Sequence, residues 1–267
     1  MSTRIAAIQM VSAPEVAPNL AAAGRLVAQA AAEGAQIAAL PEFFPILGRH
    51  ESDKVQVRER EGSGLIQDFL SGTALRNRVW LVGGTVPLEC ADPARVRNAS
   101  LVYDDQGKRV ARYDKVHLFS YRGRVESFDE ARTIEPGDAP LAVESPFGKL
   151  GLSVCYDLRF PEFYRRLADI DCWFVPSAFT AATGAAHWEV LLRARAIENL
   201  CYVVAPAQGG VHANGRRTHG HTMIVDPWGK VLAERAEGEG VVLAEMDAAR
   251  LAEVRKSLPA LEHRKLT

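Results

Sequence analysis

Short apolar runs alternate with helical patterns along almost the whole sequence, and this alternation is typical of an α/β fold. Apolar runs of this kind indicate strands buried on both faces, so helices are expected to cover the sheets in a layered α/β sandwich. The predicted strands are Ile5–Met10, Ile37–Leu40, Trp80–Pro87, Asn98–Tyr103, Lys149–Cys155, Cys172–Val175 and Tyr202–Ala207.

Four segments carry the helical patterns. Asn19 is predicted to cap a helix that ends at Gly34, and a second helix covers Leu65–Asn77. Pro161 is typical of the first turn of a third helix, and a fourth passes through His187–Asn199. Apolar residues at helical spacing predict the packed faces of the first and fourth helices: Leu20, Ala23, Val27 and Ala30, and Val190, Ala194 and Ile197.

Two pairs of segments are similar between the two halves of the chain. "IAALPEF" (37–43) and "CWFVPSAF" (172–179) are both short apolar strands interrupted by proline. "LVYDDQGKRVARYDK" (101–115) and "MIVDPWGKVLAERA" (223–236) both predict two strands joined by a turn with aspartate and Gly-Lys. This repetition favours two similar sheets over two unrelated domains.

The charge balance and the cysteines limit the possible partners. The 32 basic and 33 acidic residues nearly cancel, which argues against a nucleic-acid or membrane-surface footprint. No apolar segment approaches the ~20 residues that span a bilayer, and the N-terminus lacks a signal-peptide pattern. The four cysteines lie far apart, as in a reducing compartment. We expect a cytoplasmic protein without nucleic-acid or membrane partners.

The segment "LSVCYDLRFPE" (152–162) places a thiol at the predicted carboxyl end of a strand. Ligands collect at this end of the strands in open α/β sheets, and the helix opened by Pro161 would favour the thiolate of Cys155. Gly151 and Ser153, on the same strand face, would leave room above the sulfur. The alternative is a cysteine buried in the core. Cys155 is therefore a candidate nucleophile.

A catalytic thiol needs a base, and Glu42 is the best candidate. It follows a predicted strand and lies beside Phe43 and Phe44, where the loss of hydration should raise its pKa. A solvated loop glutamate is the alternative interpretation. Lys115 shares a strand face with aromatic residues, which indicates an inward-pointing lysine or, alternatively, one that extends toward solvent.

The histidines suggest a competing class of enzyme. His219 and His221 share a strand face and, with His212, would suit a metal-dependent hydrolase. Because no cysteine or clear third carboxylate ligand accompanies them, we predict no metal site. A second competing class is a thiol-containing binding module without turnover.

Taken together, these motifs resemble the nitrilase, or carbon–nitrogen hydrolase, superfamily over essentially the whole chain. Its Glu-Lys-Cys constellation corresponds to Glu42 in "LPEFF", Lys115 in "YDKVHLF" and Cys155 in "CYDLRFPE", and its second glutamate to Glu130 in "FDEARTIEPG". The resemblance implies one carbon–nitrogen hydrolase domain spanning 1–267. It also implies a four-layer α-β-β-α sandwich of two similar mixed sheets, and a homodimer or larger homo-oligomer.

The resemblance further implies a mechanism without a cofactor. Cys155 would attack the amide carbon, and Glu42 would move the proton. The Lys115 ammonium and the backbone N–H of Tyr156 would hold the oxyanion. Glu130 would keep Lys115 charged and in place. The intermediate would be a thioester.

Several segments indicate the substrate class. "CYDLRFPE" (155–162), 176–208 and "GHTMIVDPWG" (220–229) resemble the amidases that hydrolyse deaminated glutathione. The loop "HANGRRTHGH" (212–221) resembles them more than the related ω-amidases, which act on α-ketoglutaramate and α-ketosuccinamate. Arg159 is the candidate for binding a substrate carboxylate, with a pair to Asp157 or Glu162 as the alternative. The candidate pocket walls are Phe179, Thr180 and Thr183.

Overall fold

The computed structural model describes residues 2–123 and 127–265. Elements are numbered in chain order. The first sheet contains β1 Ser2–Gln9, β2 Ile37–Ala39, β3 Trp80–Val82, β4 Val86–Glu89, β5 Val96–Tyr103, β6 Arg109–Asp114 and β17 Gly240–Asp247. The second contains β9 Leu141–Ser145, β10 Gly148–Leu152, β11 Cys172–Phe174, β12 Tyr202–Ala205, β15 Thr222–Val225 and β16 Val231–Arg235.

Two hairpins, six α-helices and two 3-10 turns, Glu130–Arg132 and Cys155–Arg159, complete the described elements. The hairpins are β7 Ser120–Arg122 with β8 Ser127–Asp129, and β13 Gly209–Val211 with β14 Arg217–His219. The helices are α1 Val16–Ala32, α2 Asp53–Gln56, α3 Leu65–Asn77, α4 Pro161–Arg165, α5 Ala181–Asn199 and α6 Ala248–Ser257. Within the described ranges, none of these helices is both long and apolar enough to cross a membrane.

Both large sheets have parallel strands at the centre and antiparallel strands outside them. In the first sheet β1, β2 and β3 run parallel, with β17 and β5 antiparallel on either side. In the second sheet β10, β11 and β12 run parallel, with β9 and β15 antiparallel on either side. The prediction of two similar mixed sheets is confirmed.

The alternating side chains of β1 show how the layers stack. Ala6 and Ile8 belong to a buried cluster with residues of α1 and α3, such as Val27. Ile5 and Ala7 point the other way, into the core shared with the second sheet. Helices α4 and α5 cover the far face of that sheet. The layers are therefore α-β-β-α, as the resemblance implied.

The repeated segments occupy equivalent places in the two sheets. Strands β2 and β11, from the two proline-interrupted segments, each lie between two parallel neighbours. The two segments with Gly-Lys turns form the antiparallel hairpins β5–β6 and β15–β16. The similarity between the halves is therefore structural.

The predicted strand Trp80–Pro87 is two strands, β3 and β4, because two glycines interrupt it. Gly84 has a φ of +54°, and a Cβ at this position would collide with the carbonyl oxygen of Pro41. This close approach packs the break between the strands against the turn that carries Glu42.

The first helix begins at Val16 and not after Asn19, so the predicted cap is wrong. The side chain of Asn19 is buried and bonds to the backbone of Ala13 and Pro45. It therefore closes the preceding loop. The predicted apolar face is confirmed, because all four of its residues are buried.

The last long helix also differs from its prediction. Thr180 caps α5, which begins at Ala181, well before His187. The helix buries Trp188 and Leu192, whereas Val190 is 68% and Ile197 44% exposed. The helix therefore carries two apolar stripes. The stripe with Trp188 and Leu192 packs on the sheet, whereas the predicted stripe with Val190 and Ile197 faces outward.

Candidate active site

Three charged residues meet in the interior of the sandwich. The Nζ atom of Lys115 lies 2.8 Å from Oε1 of Glu42, and 3.0 and 2.8 Å from the two carboxylate oxygens of Glu130. Lys115 is fully buried, and Glu42 and Glu130 are 1% and 8% exposed. The alternatives of a solvated glutamate and a surface lysine are therefore wrong.

Hydrogen bonds hold both the carboxylate of Glu42 and the backbone around it. Asn98 of β5 donates to its Oε1 at 3.0 Å. The backbone N–H of Phe43, which has a φ of 56°, donates to Thr85. The side chain of Gln208 donates to the carbonyl of Glu42 at 3.1 Å. Sequence reasoning missed Asn98, although a polar residue inside an apolar strand was an available signal.

Glu130 begins a short 3-10 turn directly after β8. Its Oε2 accepts from the backbone N–H of Phe119 at 2.7 Å as well as from Lys115. The local sequence of Glu130 resembles an ordinary charged loop. Only the tertiary structure shows that this carboxylate is buried against the lysine.

Cys155 lies beyond the end of β10 and opens a 3-10 turn, Cys155–Arg159. It has a φ of 49°, which is unusual for a residue with a side chain. Its backbone N–H donates to the carbonyl of Pro176, and its side chain lines the same cleft as Glu42 and Glu130. The thiol is thus buried at the edge of the core, as the alternative had it, but it also lies beside the charged cluster.

The space above the sulfur does not arise as predicted. The strand ends at Leu152, before Cys155, and a Cβ at Gly151 would lie 2.6 Å from the ring of Trp173. Gly151 thus makes room for the tryptophan and leaves no cavity. Ser153 accepts from Tyr164 and donates to the carbonyl of Phe174. The open space beside the sulfur comes from other segments.

Burial and the opposing charges set the protonation of the cluster. Burial, followed by the charge of Glu42, raises the pKa of the Cys155 thiol well above its usual value, although Lys115 acts in the opposite direction. Burial and the charge of Glu42 therefore act against the thiolate that the nearby helix was expected to favour. Burial also raises the pKa of Glu42, against the opposing effect of Lys115.

Lys115 remains charged although it is buried. Burial lowers the pKa of an ammonium, but the carboxylates of Glu130 and Glu42 outweigh this effect and raise it well above its usual value. A neutral thiol therefore lies beside a carboxylate of raised basicity and a permanent ammonium.

A buried aspartate joins the segment of the lysine to the segment of the thiol. Asp157 accepts from Tyr113 at 2.6 Å, from the backbone and ring of His117 at 3.0 and 2.7 Å, and from the backbone of Val154 at 2.8 Å. Tyr113 and His117 flank Lys115 in sequence, and Val154 precedes Cys155. Asp157 therefore holds the two segments in register, a role that the sequence analysis missed.

Glu42, Glu130 and Cys155 line a cleft of about 280 Å³, a volume that includes its opening to solvent, and we call it the active cleft. Lys115 bonds to the two carboxylates of this cleft. Every predicted substrate-binding residue lines it: Arg159, Phe179, Thr180 and Thr183. Tyr156 lines it as well. The sequence analysis missed three further lining residues: Phe119, Ala178 and Arg216.

Arg159 does not make the ion pairs that were considered as alternatives. Its Nη1 lies 3.2 Å from Nδ1 of His187, and its guanidinium packs over the rings of Tyr156 and Phe179. Asp157 is instead committed to the contacts described above. The guanidinium thus forms one wall of the active cleft.

The predicted histidine cluster does not assemble as one set. His212 is buried, with its ring nitrogens 3.0 Å from the carbonyl of Ser12 and 2.7 Å from the hydroxyl of Thr218. His219 stacks on His221 with ring centroids 4.2 Å apart. In the part of the chain that the structure describes, no three histidine, cysteine or acidic side chains group as metal ligands.

The fold and the site together define a class of protein: an α-β-β-α hydrolase with a cysteine in its active cleft. Residues 4–256 match the family described as carbon–nitrogen hydrolase. The chain belongs to the carbon–nitrogen hydrolase family, whose members cleave carbon–nitrogen bonds other than peptide bonds. It is a hydrolase of such bonds in amides.

Individual relatives are similar over nearly the full length. The chain is 43% identical to the deaminated glutathione amidase of Synechocystis sp., covering 97% of each chain. It is 38% identical to the human deaminated glutathione amidase, covering 98% of this chain and 82% of that protein. Among solved structures, Saccharomyces cerevisiae Nit3, a member of branch 10 of the nitrilase superfamily, superposes with a TM-score of 0.90 at 29% identity, covering 99% and 97% of the two chains.

Proposed function

We propose that this protein is an amidase that hydrolyses deaminated glutathione through a thioester intermediate. The observation that carries the proposal is the Glu42–Lys115–Cys155 cluster at the active cleft of a chain so similar to deaminated glutathione amidases. In that substrate a keto group replaces the amino group of glutathione, so one carboxylate lies on each side of the scissile amide.

In the first half-reaction Glu42 accepts the thiol proton of Cys155, and the sulfur attacks the amide carbon. The carbonyl oxygen becomes an oxyanion, held by the Lys115 ammonium and the backbone N–H of Tyr156. That N–H lies in the first turn of a 3-10 helix, where N–H groups have no partner within the helix. The C–N bond then breaks, Glu42 returns its proton to the amine, and the acyl group stays on sulfur.

In the second half-reaction water replaces the departed amine. Glu42 accepts a proton from the water, whose oxygen attacks the thioester carbon at the same oxyanion site. The C–S bond breaks, the carboxylic acid leaves, and the proton returns to the sulfur of Cys155. Glu130 takes no proton in this scheme and acts by holding Lys115, to which both of its oxygens bond.

The walls of the cleft account for an acidic acyl group. Arg159, four residues after the nucleophile, offers a guanidinium to the carboxylate of the acyl portion. Phe179 packs against that guanidinium, and Thr180 and Thr183 line the same cleft. These residues bind the substrate in our proposal.

The release of α-ketoglutarate tests the substrate, because deaminated glutathione and α-ketoglutaramate both yield it. We expect a higher kcat/KM for deaminated glutathione than for α-ketoglutaramate, and little hydrolysis of a simple aliphatic amide. A preference for α-ketoglutaramate would instead indicate an ω-amidase.

Trapping tests the thioester. Hydroxylamine should divert the acyl group to a hydroxamate, which a binding module without turnover would not produce. Alkylation of the thiol should abolish activity, whereas exhaustive chelation should leave it intact. Activity that survives alkylation but not chelation would favour the metal-dependent alternative.

We also infer that the protein works in the cytoplasm as a homodimer that pairs through α5. The exposed Val190 and Ile197 of this helix support the inference. Trp228, which is 56% exposed, lies in the adjacent turn, where the carbonyl of Gly229 accepts from Arg193 of α5. Three large apolar side chains thus lie on one outer face of the sandwich.

A further inference from the structure

Arg216 contributes to the walls of two cavities. One is the active cleft, and the other, which we call the second cavity, measures about 310 Å³. The second cavity is also lined by Phe43, Leu47, His50, Lys54 and Asn214. A group that extends from the thiol to Arg216 would therefore lie next to the second cavity.

Among the residues that the structure describes, the guanidinium of Arg216 makes no ion pair. Its Nη2 donates to the carbonyl of Ala178 at 3.0 Å, and its central carbon lies 4.9 Å from the centre of the Phe128 ring. Its Nε atom is buried and has no acceptor among the described residues. An oriented guanidinium with an unused donor is suited to a carboxylate, which accepts two parallel hydrogen bonds.

The charge around the second cavity favours an anion. The acidic residue in its wall, Glu51, lies 2.8 Å from the ammonium of Lys54, which compensates its charge. Arg216 adds a second cation to this wall, so that two cationic side chains, Lys54 and Arg216, face one carboxylate, Glu51. A carboxylate at this position would therefore be attracted to the guanidinium.

The two arginines of the active cleft come from different segments. Arg159 follows the nucleophile in the same 3-10 turn, whereas Arg216 lies just before β14. The acyl group stays attached to Cys155 after the first half-reaction, so its carboxylate belongs with the arginine of the nucleophile's own turn. The leaving group departs, and the second cavity beyond Arg216 gives it room.

We propose that Arg216 binds the terminal carboxylate of the leaving group. The site would thereby select amides whose leaving amine is a dipeptide with a free carboxylate over amides that release ammonia. The inference rests on the proposed function. It names the residue by which this site would distinguish deaminated glutathione from ω-amides, because ammonia carries no group that reaches Arg216.

The test compares deaminated glutathione with its analogue in which the terminal carboxylate is a carboxamide, for the wild type, R216Q and R217Q. Arg217 is an exposed neighbour and is the matched control. In the wild type the carboxamide should lower kcat/KM about 10- to 100-fold, the usual effect of losing a charged hydrogen bond. In R216Q the carboxamide analogue should have a kcat/KM less than about threefold below that of deaminated glutathione. R217Q should discriminate between the two substrates as the wild type does.

The outcomes separate the inference from the proposed function. If R216Q discriminates between the two substrates as strongly as the wild type, or if the wild type does not discriminate, the inference is wrong while the amidase function stands. If the wild type releases no α-ketoglutarate from deaminated glutathione, the proposed function fails, and the inference fails with it. Because each enzyme is compared with itself on two substrates, partial misfolding of R216Q does not affect the result.

Discussion

The carboxylates of Glu42 and Glu130 both bond to the ammonium of Lys115, but their surroundings suit them to different tasks. Glu42 lines the active cleft with the thiol, and burial raises its pKa, so it is suited to accept and return a proton. Glu130 bonds to Lys115 through both oxygens and to the backbone of Phe119, so it is suited to hold the lysine. The distinction can be tested by substitution.

The pH profile is the first prediction. A base works only when deprotonated, so kcat/KM should fall with decreasing pH as Glu42 takes up a proton. The midpoint of this acid limb should lie above pH 4.5, the ordinary pKa of a glutamate, because burial raises the pKa of Glu42. Glu130 raises the pKa of Glu42 through its charge, so E130Q should move the limb to lower pH. We expect kcat/KM of E130Q at neutral pH to fall about 100-fold, because Lys115 loses its anchor.

The controls for this prediction are E42Q and E162Q. E42Q should lose at least ~10³-fold in kcat, because the amide side chain accepts no proton. Glu162 is exposed, and E162Q should keep the wild-type profile. An acid limb that stays in place in E130Q would show that Glu130 does not act on the pKa of Glu42.

At the scale of elements, the active cleft depends on how the ends of strands are tied together. The segment after β6 carries Lys115, and the turn after β10 carries Cys155, but the two strands belong to different sheets. Asp157 bridges them through buried hydrogen bonds. Because these bonds end on one fully buried carboxylate, the register of the two segments depends on that residue.

The second prediction concerns this bridge. In D157N one carboxylate oxygen becomes an NH₂ donor that faces existing donors, so the free energy of unfolding should fall by about 2–4 kcal/mol. Y113F removes two hydrogen bonds, the one donated to Asp157 and the one accepted from the backbone N–H of Val116, and should cost about 1–2 kcal/mol. Urea unfolding measures both values.

The control for the bridge is D138N, an exposed site where we expect a change within about 0.5 kcal/mol. D157N should also lower kcat more than it raises KM, because the thiol and the lysine lose their alignment. A variant D157N as stable as D138N would contradict the bridge.

At the scale of the whole molecule, α5 presents apolar side chains on both of its faces. Its inner stripe packs on the second sheet, and its outer stripe is exposed. Exposed apolar patches on a folded chain are typical of interaction sites. A second copy of the chain would extend the four layers through this helix.

The third prediction concerns this assembly. A double variant with V190E and I197E should halve the molar mass measured by light scattering, because buried charges would destabilise the interface. Val211 is 61% exposed on the β13–β14 hairpin, so V211E is the matched control and should remain dimeric. A wild type that is monomeric at micromolar concentration would contradict the inference.

The sequence by itself determined the alternation of strands and helices and the similarity of the halves, and it made Glu42, Lys115 and Cys155 candidates for the site. These features are local, because hydrophobic periodicity and short motifs are set by neighbouring residues. The same reasoning misplaced the packed face of α5, where two stripes had similar patterns and only the sheet decided between them.

The tertiary structure alone decided what depends on distant contacts. It raised the pKa of the Cys155 thiol, because the side chain is buried and lies beside Glu42. It also brought Asn98 into contact with Glu42, and Arg216 to the active cleft, from segments far from them in the chain. Burial and electrostatic coupling between residues far apart in sequence are properties of the folded arrangement, so they appear only when the layers are assembled.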